Sequence, residues 1–261
     1  MKSKNIISPY LLPATVFLFY LFLYAPIIVL IIFSFNSSSS SHQWDGFSFR
    51  WYQELFESVE VVEALKNSLI VAFSAVFLSV FMALFYVFYG VHTFLRKTII
   101  LFYGSLAAPE IVLAVGLLSF YSFFSIPLGL PTLIAGHTLL GFGYVIPIIK
   151  GSFDSLDIKL TEAALDLGAT QTQIFRKIIL PLLFPSLLVS ALLVFIVSLA
   201  DFIISFFCAG ASIATLPVYI FSVIRSGATP SVNALSTLLL IISILLVIIL
   251  SYFYKNTRAL K

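Results

Sequence analysis

The chain has 261 residues, of which 61% are hydrophobic and 10% charged, and its formal net charge is +3. The charged share is far below the roughly 25% of a soluble domain, and several apolar runs reach the roughly 20 residues that cross a bilayer, which excludes a soluble fold. The runs are continuous instead of alternating at short intervals, which excludes a β-barrel; the chain reads as an all-α membrane protein, one transmembrane domain over residues 1–261.

Six spans are expected, at Tyr10–Phe33, Ser68–Tyr89, Ile99–Phe124, Leu133–Ile149, Leu182–Phe206 and Leu235–Tyr254. The first follows Lys2 and Lys4, but its apolar run is too long for a signal peptide and lacks a small-residue cleavage site, so it reads as a retained span. With the N-terminus inside, the inner segments hold Lys2, Lys4, Arg96, Lys97, Lys150, Lys159, Arg176, Lys177, Lys255, Arg258 and Lys261. The outer ones hold Arg50, Lys66 and Arg225, so the count is 11 against 3 of the 14 basic residues. The positive-inside rule then puts both termini in the cytoplasm.

The first outer loop opens with Asn36 and the serines Ser37 to Ser41, read as a flexible tether. Phe47 to Tyr52 and Leu55-Phe56 follow, dense in aromatics, as in a helix lying at headgroup level. A docking surface for an external partner is the alternative. The second inner loop, Gly90 to Thr98, is short. The third span contains Pro109-Glu110, and the fourth carries Gly136, Gly141, Gly143 and Pro147, small residues that let helices approach closely. In the last outer segment, Leu216 to Phe221 reads as a short helix with Pro217 in its first turn.

Between the fourth and fifth spans the chain turns polar, over residues 150–181. Glu162 and Asp166 share one helical face with Ala163, Ala164 and Leu167 among them. Gly168 fits a C-terminal cap, Thr170 with Gln173 fits a capping box, and Arg176 and Lys177 suit the last turn of a second helix. Pro181 marks the return to the membrane. Two short helices joined by a glycine elbow would form a compact cytoplasmic knob for another protein to grip.

Other chemistry is thinly represented. Cys208 is the only cysteine, so no intramolecular disulfide forms, and it reads as a small buried residue. The histidines show no metal-ligand spacing; His137, inside an apolar run, reads as a packing histidine, with a polar pore residue as the alternative. No G-x-x-x-x-G-K-S/T occurs, so no nucleotide is held through a P-loop. The basic residues form no face for nucleic acid. No catalytic residue, metal or cofactor is expected, and the chain is not read as an enzyme.

The residues Glu162, Ala163, Ala164, Gly168, Ile178, Leu180 and Pro181 follow the pattern E-A-A-x3-G-x9-I-x-L-P. This resembles the EAA loop of ABC-importer permease subunits. The likeness implies a type I (MetI-like) permease in a bacterial inner membrane, whose loop couples to a pair of separate ATPase subunits. It also implies a second permease subunit and a periplasmic or extracellular solute-binding protein as partners. Phe47 to Tyr52, Pro109 to Val112 and Ser231 to Thr237 are similar to the PotC-like second permease subunits of spermidine/putrescine importers, which implies a polyamine cargo.

Two carboxylates fall within expected spans, Glu110 and Asp201, with no Lys or Arg in the central part of any span. Such a residue at mid-membrane costs about 2.5–3.5 kcal/mol on insertion scales. A cationic solute would supply the missing partner, with Tyr121, Tyr144 and Tyr219 as candidate aromatic faces. The alternatives are that Glu110 satisfies backbone groups freed at Pro109 and that Asp201 pairs with the second permease subunit. Rival readings are the same architecture carrying an iron complex or a phosphonate, an ion-coupled secondary transporter, and a membrane scaffold. Anionic cargo would want basic residues in the spans, and an ion-coupled carrier would show inverted repeats.

Overall fold

The computed structural model describes residues 11–39, 43–90, 109–211, 213–227 and 230–258. Lys2, Lys4, Arg96, Lys97 and Lys261, used above for orientation, lie outside them, as do the second inner loop beyond Gly90 and residues 99–108 of the expected third span. The chain divides into two compact units, one of residues 1–58 with 222–241 and one of residues 59–221 with 242–261.

In the first unit, α1 (Leu11–Phe33) is apolar throughout and exposed along its length. The described residues that follow it are pinned. Asn36, fully buried, bridges to Phe47, and its side-chain carbonyl accepts from the backbone N–H groups of Ser38 (3.2 Å) and Asp45 (3.1 Å). The indole N–H of Trp51 donates to the Asn36 carbonyl at 2.7 Å. Residues 36–39 are therefore not the flexible tether that their serines suggest, because one asparagine satisfies several backbone groups at once. Helix α2 (Arg50–Glu57) follows, as the aromatic segment predicts, and Phe35, Phe47, Phe49 and Tyr52 pack ring against ring beside it.

The second unit is a helical bundle. Helix α3 (Val59–Gly90) begins earlier than the expected span, so Glu60 and Glu63 lie on its first turns. Helix α4 (Glu110–Phe123) is the described part of the third span, and α5 (Leu130–Asp154) is the fourth. Two short helices, α6 (Ile158–Asp166) and α7 (Gln171–Ile174), lead through a π-helical turn, Phe175–Ile179, into α8 (Leu180–Ala200). After a break come α9 (Ile203–Cys208), α10 (Leu216–Ser226) and α11 (Pro230–Arg258); residues 222–226 of α10 and 230–241 of α11 belong to the first unit. The Leu216 N–H donates to Ser68 Oγ at 2.8 Å and Asn67 Nδ2 to the Ala214 carbonyl at 3.1 Å, which ties the start of α10 to α3.

Among the described residues, five helices are long and apolar enough to cross a membrane. The fifth expected span, Leu182–Phe206, is not one helix. It ends at Ala200 and restarts at Ile203, because Asp201 takes an extended backbone (ψ 121°) and its side chain serves the next turn. The second short helix of residues 150–181 also differs from expectation. It does not end after Arg176 and Lys177 but continues into α8. The widened turn Phe175–Ile179 sits directly before Pro181, whose missing N–H and bulky ring cannot fit a regular ladder.

Helices α3, α5 and α8 meet around Gly141. A Cβ there would lie 2.8 Å from Val194 Cγ1 and 3.0 Å from Ser79 Oγ, so this contact depends on glycine. Gly136 plays the same part against Ile204, 2.7 Å from the place of its absent Cβ. Overpacking such a site costs about 1–3 kcal/mol. Gly141→Val should therefore lower the thermal midpoint of the detergent-purified protein. A midpoint equal to wild type would contradict this account of the three-helix contact.

Candidate functional site

Two places in the second unit concentrate polar chemistry. The first is the break between α8 and α9. The Asp201 carboxylate accepts from the backbone N–H of Ser205 at 3.0 Å and of Ile204 at 3.3 Å. It thereby satisfies donors that a broken helix leaves unpaired, which matters most where no water can substitute. Asp201 is 6% exposed, and no lysine or arginine is buried among the described residues.

His137, from the middle of α5, faces the same group. Its Nε2 is 3.4 Å from Asp201 Oδ2 and 3.1 Å from Ser205 Oγ, and its Nδ1 is 2.8 Å from Ser198 Oγ. Glu110, half-buried in the first turn of α4, has its carboxyl near enough to that of Asp201 for the two to interact. The two acids singled out in the sequence thus converge, although 91 positions separate them (201 − 110). Two neighbouring carboxylates repel each other, and a cation beside them would relieve that repulsion. Next in the chain after Asp201, Phe202 packs its ring on those of Phe206 and Phe221, with ring centroids at 5.4 and 4.8 Å.

The three tyrosines are dispersed. Tyr121 is buried in the core below α9, and its hydroxyl donates to the Thr132 carbonyl at 3.1 Å. Tyr144 packs against the other core cluster, and Tyr219 stands half-buried on α10. Phe202 follows Asp201 directly in the chain, and its ring packs on that of Phe221. Nothing in the sequence distinguishes them from the other phenylalanines. Cys208 is buried, as expected, and accepts through its carbonyl from the Thr132 hydroxyl at 2.9 Å.

The second place is the segment after α5. Asp157 caps α6, its side chain accepting from the Lys159 N–H at 3.0 Å. The helix ends in a Schellman motif: Ala169 N–H donates to the Ala164 carbonyl at 3.0 Å and Gly168 N–H to that of Leu165 at 2.8 Å. Gly168 has φ +78°, and a Cβ added to it would meet nothing within 4 Å. Its role is conformational, not steric. The capping box is present: Thr170 N–H donates to Gln173 Oε1 at 2.8 Å and Gln173 N–H to Thr170 Oγ1 at 3.3 Å.

Glu162, Ala163, Gly168 and Pro181 are exposed; Ala164, Ile178 and Leu180 are half-buried. Leu167 at the elbow is 88% exposed, a large apolar side chain on an otherwise polar turn. A groove of about 730 Å³ lies beside the knob, with Thr161, Glu162 and Leu165 on one wall and Phe88 and Phe153 on another. The knob is firmly rooted. Ile174 and Ile179 are buried in one core cluster with Val87, Ile149 and Leu183, and Phe175 packs on Phe88 at a centroid distance of 4.4 Å.

A family model described as "Binding-protein-dependent transport system inner membrane component" matches residues 61–258. The chain is 37% identical over 243 residues to the Spermidine/putrescine transport system permease protein PotC of Haemophilus influenzae, covering 90% of this chain and 93% of that protein. To the protein of the same name from Escherichia coli K12 it is 36% identical over 232 residues, with 88% of each covered. A crystal structure of a bacterial ABC transporter involved in the import of the acidic polysaccharide alginate aligns with 96% of this chain and 94% of its own matched chain. The TM-score is 0.70 at 17% identity, a likeness of fold alone. The family match over most of the sequence and the near full-length relatives settle the assignment: the chain belongs to the binding-protein-dependent transport system inner membrane components.

Proposed function

We propose that this protein is the membrane-spanning subunit of an ATP-driven importer for polyamines such as spermidine and putrescine. The observation that carries the cargo is the meeting of Glu110 and Asp201 with no buried lysine or arginine among the described residues to neutralise them. A polyamine brings ammonium groups spaced by methylenes. One ammonium would take the place between the two carboxyls, and the rings of Phe202 and Phe221 would face the methylenes and the neighbouring charge. The names of the PotC relatives support the same cargo.

The segment Asp157–Pro181 is the part gripped by the ATPase subunits. The exposed Glu162, Ala163 and Leu167 would meet the ATPase, and the groove beside Glu162 would receive one of its side chains. A second permease subunit and an external binding protein complete the machine. Both termini then face the cytoplasm, on the same side as this knob. ATP binding would draw the knobs of the two permease subunits together, and the buried Ile174 and Ile179 would carry that movement into the bundle.

Two outcomes test this reading. With the partner subunits co-expressed, Glu110→Gln and Asp201→Asn should each raise the apparent KM for radiolabelled spermidine uptake by at least roughly tenfold, equivalent to about 1.4 kcal/mol. Wild-type KM in both would remove the cargo site. At the knob, Leu167→Glu should cut co-purification of the ATPase subunit. Gly168→Asn, which tolerates the left-handed conformation, should retain more of it than Gly168→Val. Equal recovery across all three variants and wild type would contradict docking at this elbow.

A further inference from the structure

His137 reads from the sequence as a packing histidine, with a polar pore residue as the alternative, and its surroundings ask for more than packing. It is 1% exposed, and both of its ring nitrogens are engaged. On one side Nδ1 meets Ser198, in the last turn of α8. On the other, Nε2 meets Ser205 of α9 and the Asp201 carboxylate between them. One imidazole on α5 therefore spans the break in the neighbouring span.

The chemistry of the partners assigns its tautomer. A carboxylate only accepts, so the nitrogen facing Asp201 carries the proton. Nδ1 is then the acceptor and takes the Ser198 hydroxyl proton. The Nε2–H is shared between Ser205 Oγ at 3.1 Å and Asp201 Oδ2 at 3.4 Å. With two backbone N–H groups already on the Asp201 oxygens, this third donor fixes the rotation of the carboxylate and the side it turns toward Glu110.

We infer that His137 is a positioning residue for the cation site: through Nε2 it holds the Asp201 carboxylate across the α8–α9 break in the orientation that meets Glu110 and the incoming ammonium. The inference rests on the cargo reading above and adds a residue that does not itself touch the cargo. It also explains why the break is stable. The ring links side chains on both sides of the break, while Asp201 satisfies its backbone donors.

The amides separate positioning from packing, because Gln can place its N–H near Nε2 while Asn reaches only the Nδ1 position. Radiolabelled spermidine uptake is measured against concentration for wild type, His137→Gln, His137→Asn, Asp201→Asn and the His137→Asn/Asp201→Asn double variant, all assembled with the partner subunits. Expected are a KM close to wild type for His137→Gln and a KM raised roughly tenfold for His137→Asn, about 1.4 kcal/mol, with Vmax little changed. The double variant should be no worse than Asp201→Asn alone. Equal KM for the two amides, or an additive loss in the double variant, would overturn the positioning role. Loss of both amide variants from the assembled complex would mark a purely structural histidine and overturn it as well. A wild-type KM in Asp201→Asn would remove the cargo site itself and the inference with it.

Discussion

A break in a membrane helix exposes backbone donors that lipid cannot satisfy, and each one left unpaired costs several kcal/mol. In this protein the break between α8 and α9 is satisfied by Asp201, which accepts from the N–H groups of Ile204 and Ser205. That solution places a carboxylate where charge is expensive and so creates a second demand. His137 and Glu110 gather around it, and the close approach of α5 that this requires depends on small residues. Gly136 lets Ile204 come within 2.7 Å of where its Cβ would be, one residue from His137. Packing, capping and the proposed cation site are therefore consequences of one another.

The same helix joins the two functional places. Helix α8 runs 21 residues from the knob to Asp201, about 32 Å at 1.5 Å per residue. At its start the π-helical turn and Ile174 anchor it in the core with α3 and α5. A movement imposed on Asp157–Pro181 thus reaches the break through a continuous helix, with no flexible linker between. The exposed Leu167 and the left-handed Gly168 stand at the outer end, and the paired carboxyls at the inner one. In the proposed cycle ATP does mechanical work at one end while the cargo is held at the other.

Much of this was legible in the sequence because it is local. Apolar runs mark the spans, and Gly168, Thr170 and Gln173 mark the caps within a few residues of the groups they satisfy. Pro217 places α10. What escaped depends on partners distant along the chain. The residues Phe202 to Cys208 continue the apolar run of α8, so hydropathy alone joins what Asp201 separates. His137 looks like a core histidine because Ser198 and Ser205 are 61 and 68 positions away. Helix α7 reads as a separate element because Pro181 resembles a stop, whereas the widened turn before it absorbs the proline. Asn36 looks like the start of a flexible tether because its hydrogen-bond partners extend as far as Trp51.

The central claim is that the carboxyl pair at the helix break serves a cation moved at the expense of ATP. Its most direct test uses the whole assembly, with the second permease, the ATPase pair and the binding protein, reconstituted in proteoliposomes with ATP on the ATPase side. Spermidine accumulation is then followed in the presence and absence of an excess of putrescine or of an anionic solute such as phosphonate. The account predicts ATP-dependent accumulation that putrescine suppresses and the anion does not. Accumulation that is independent of ATP, or that the anion suppresses as well as putrescine does, would contradict it.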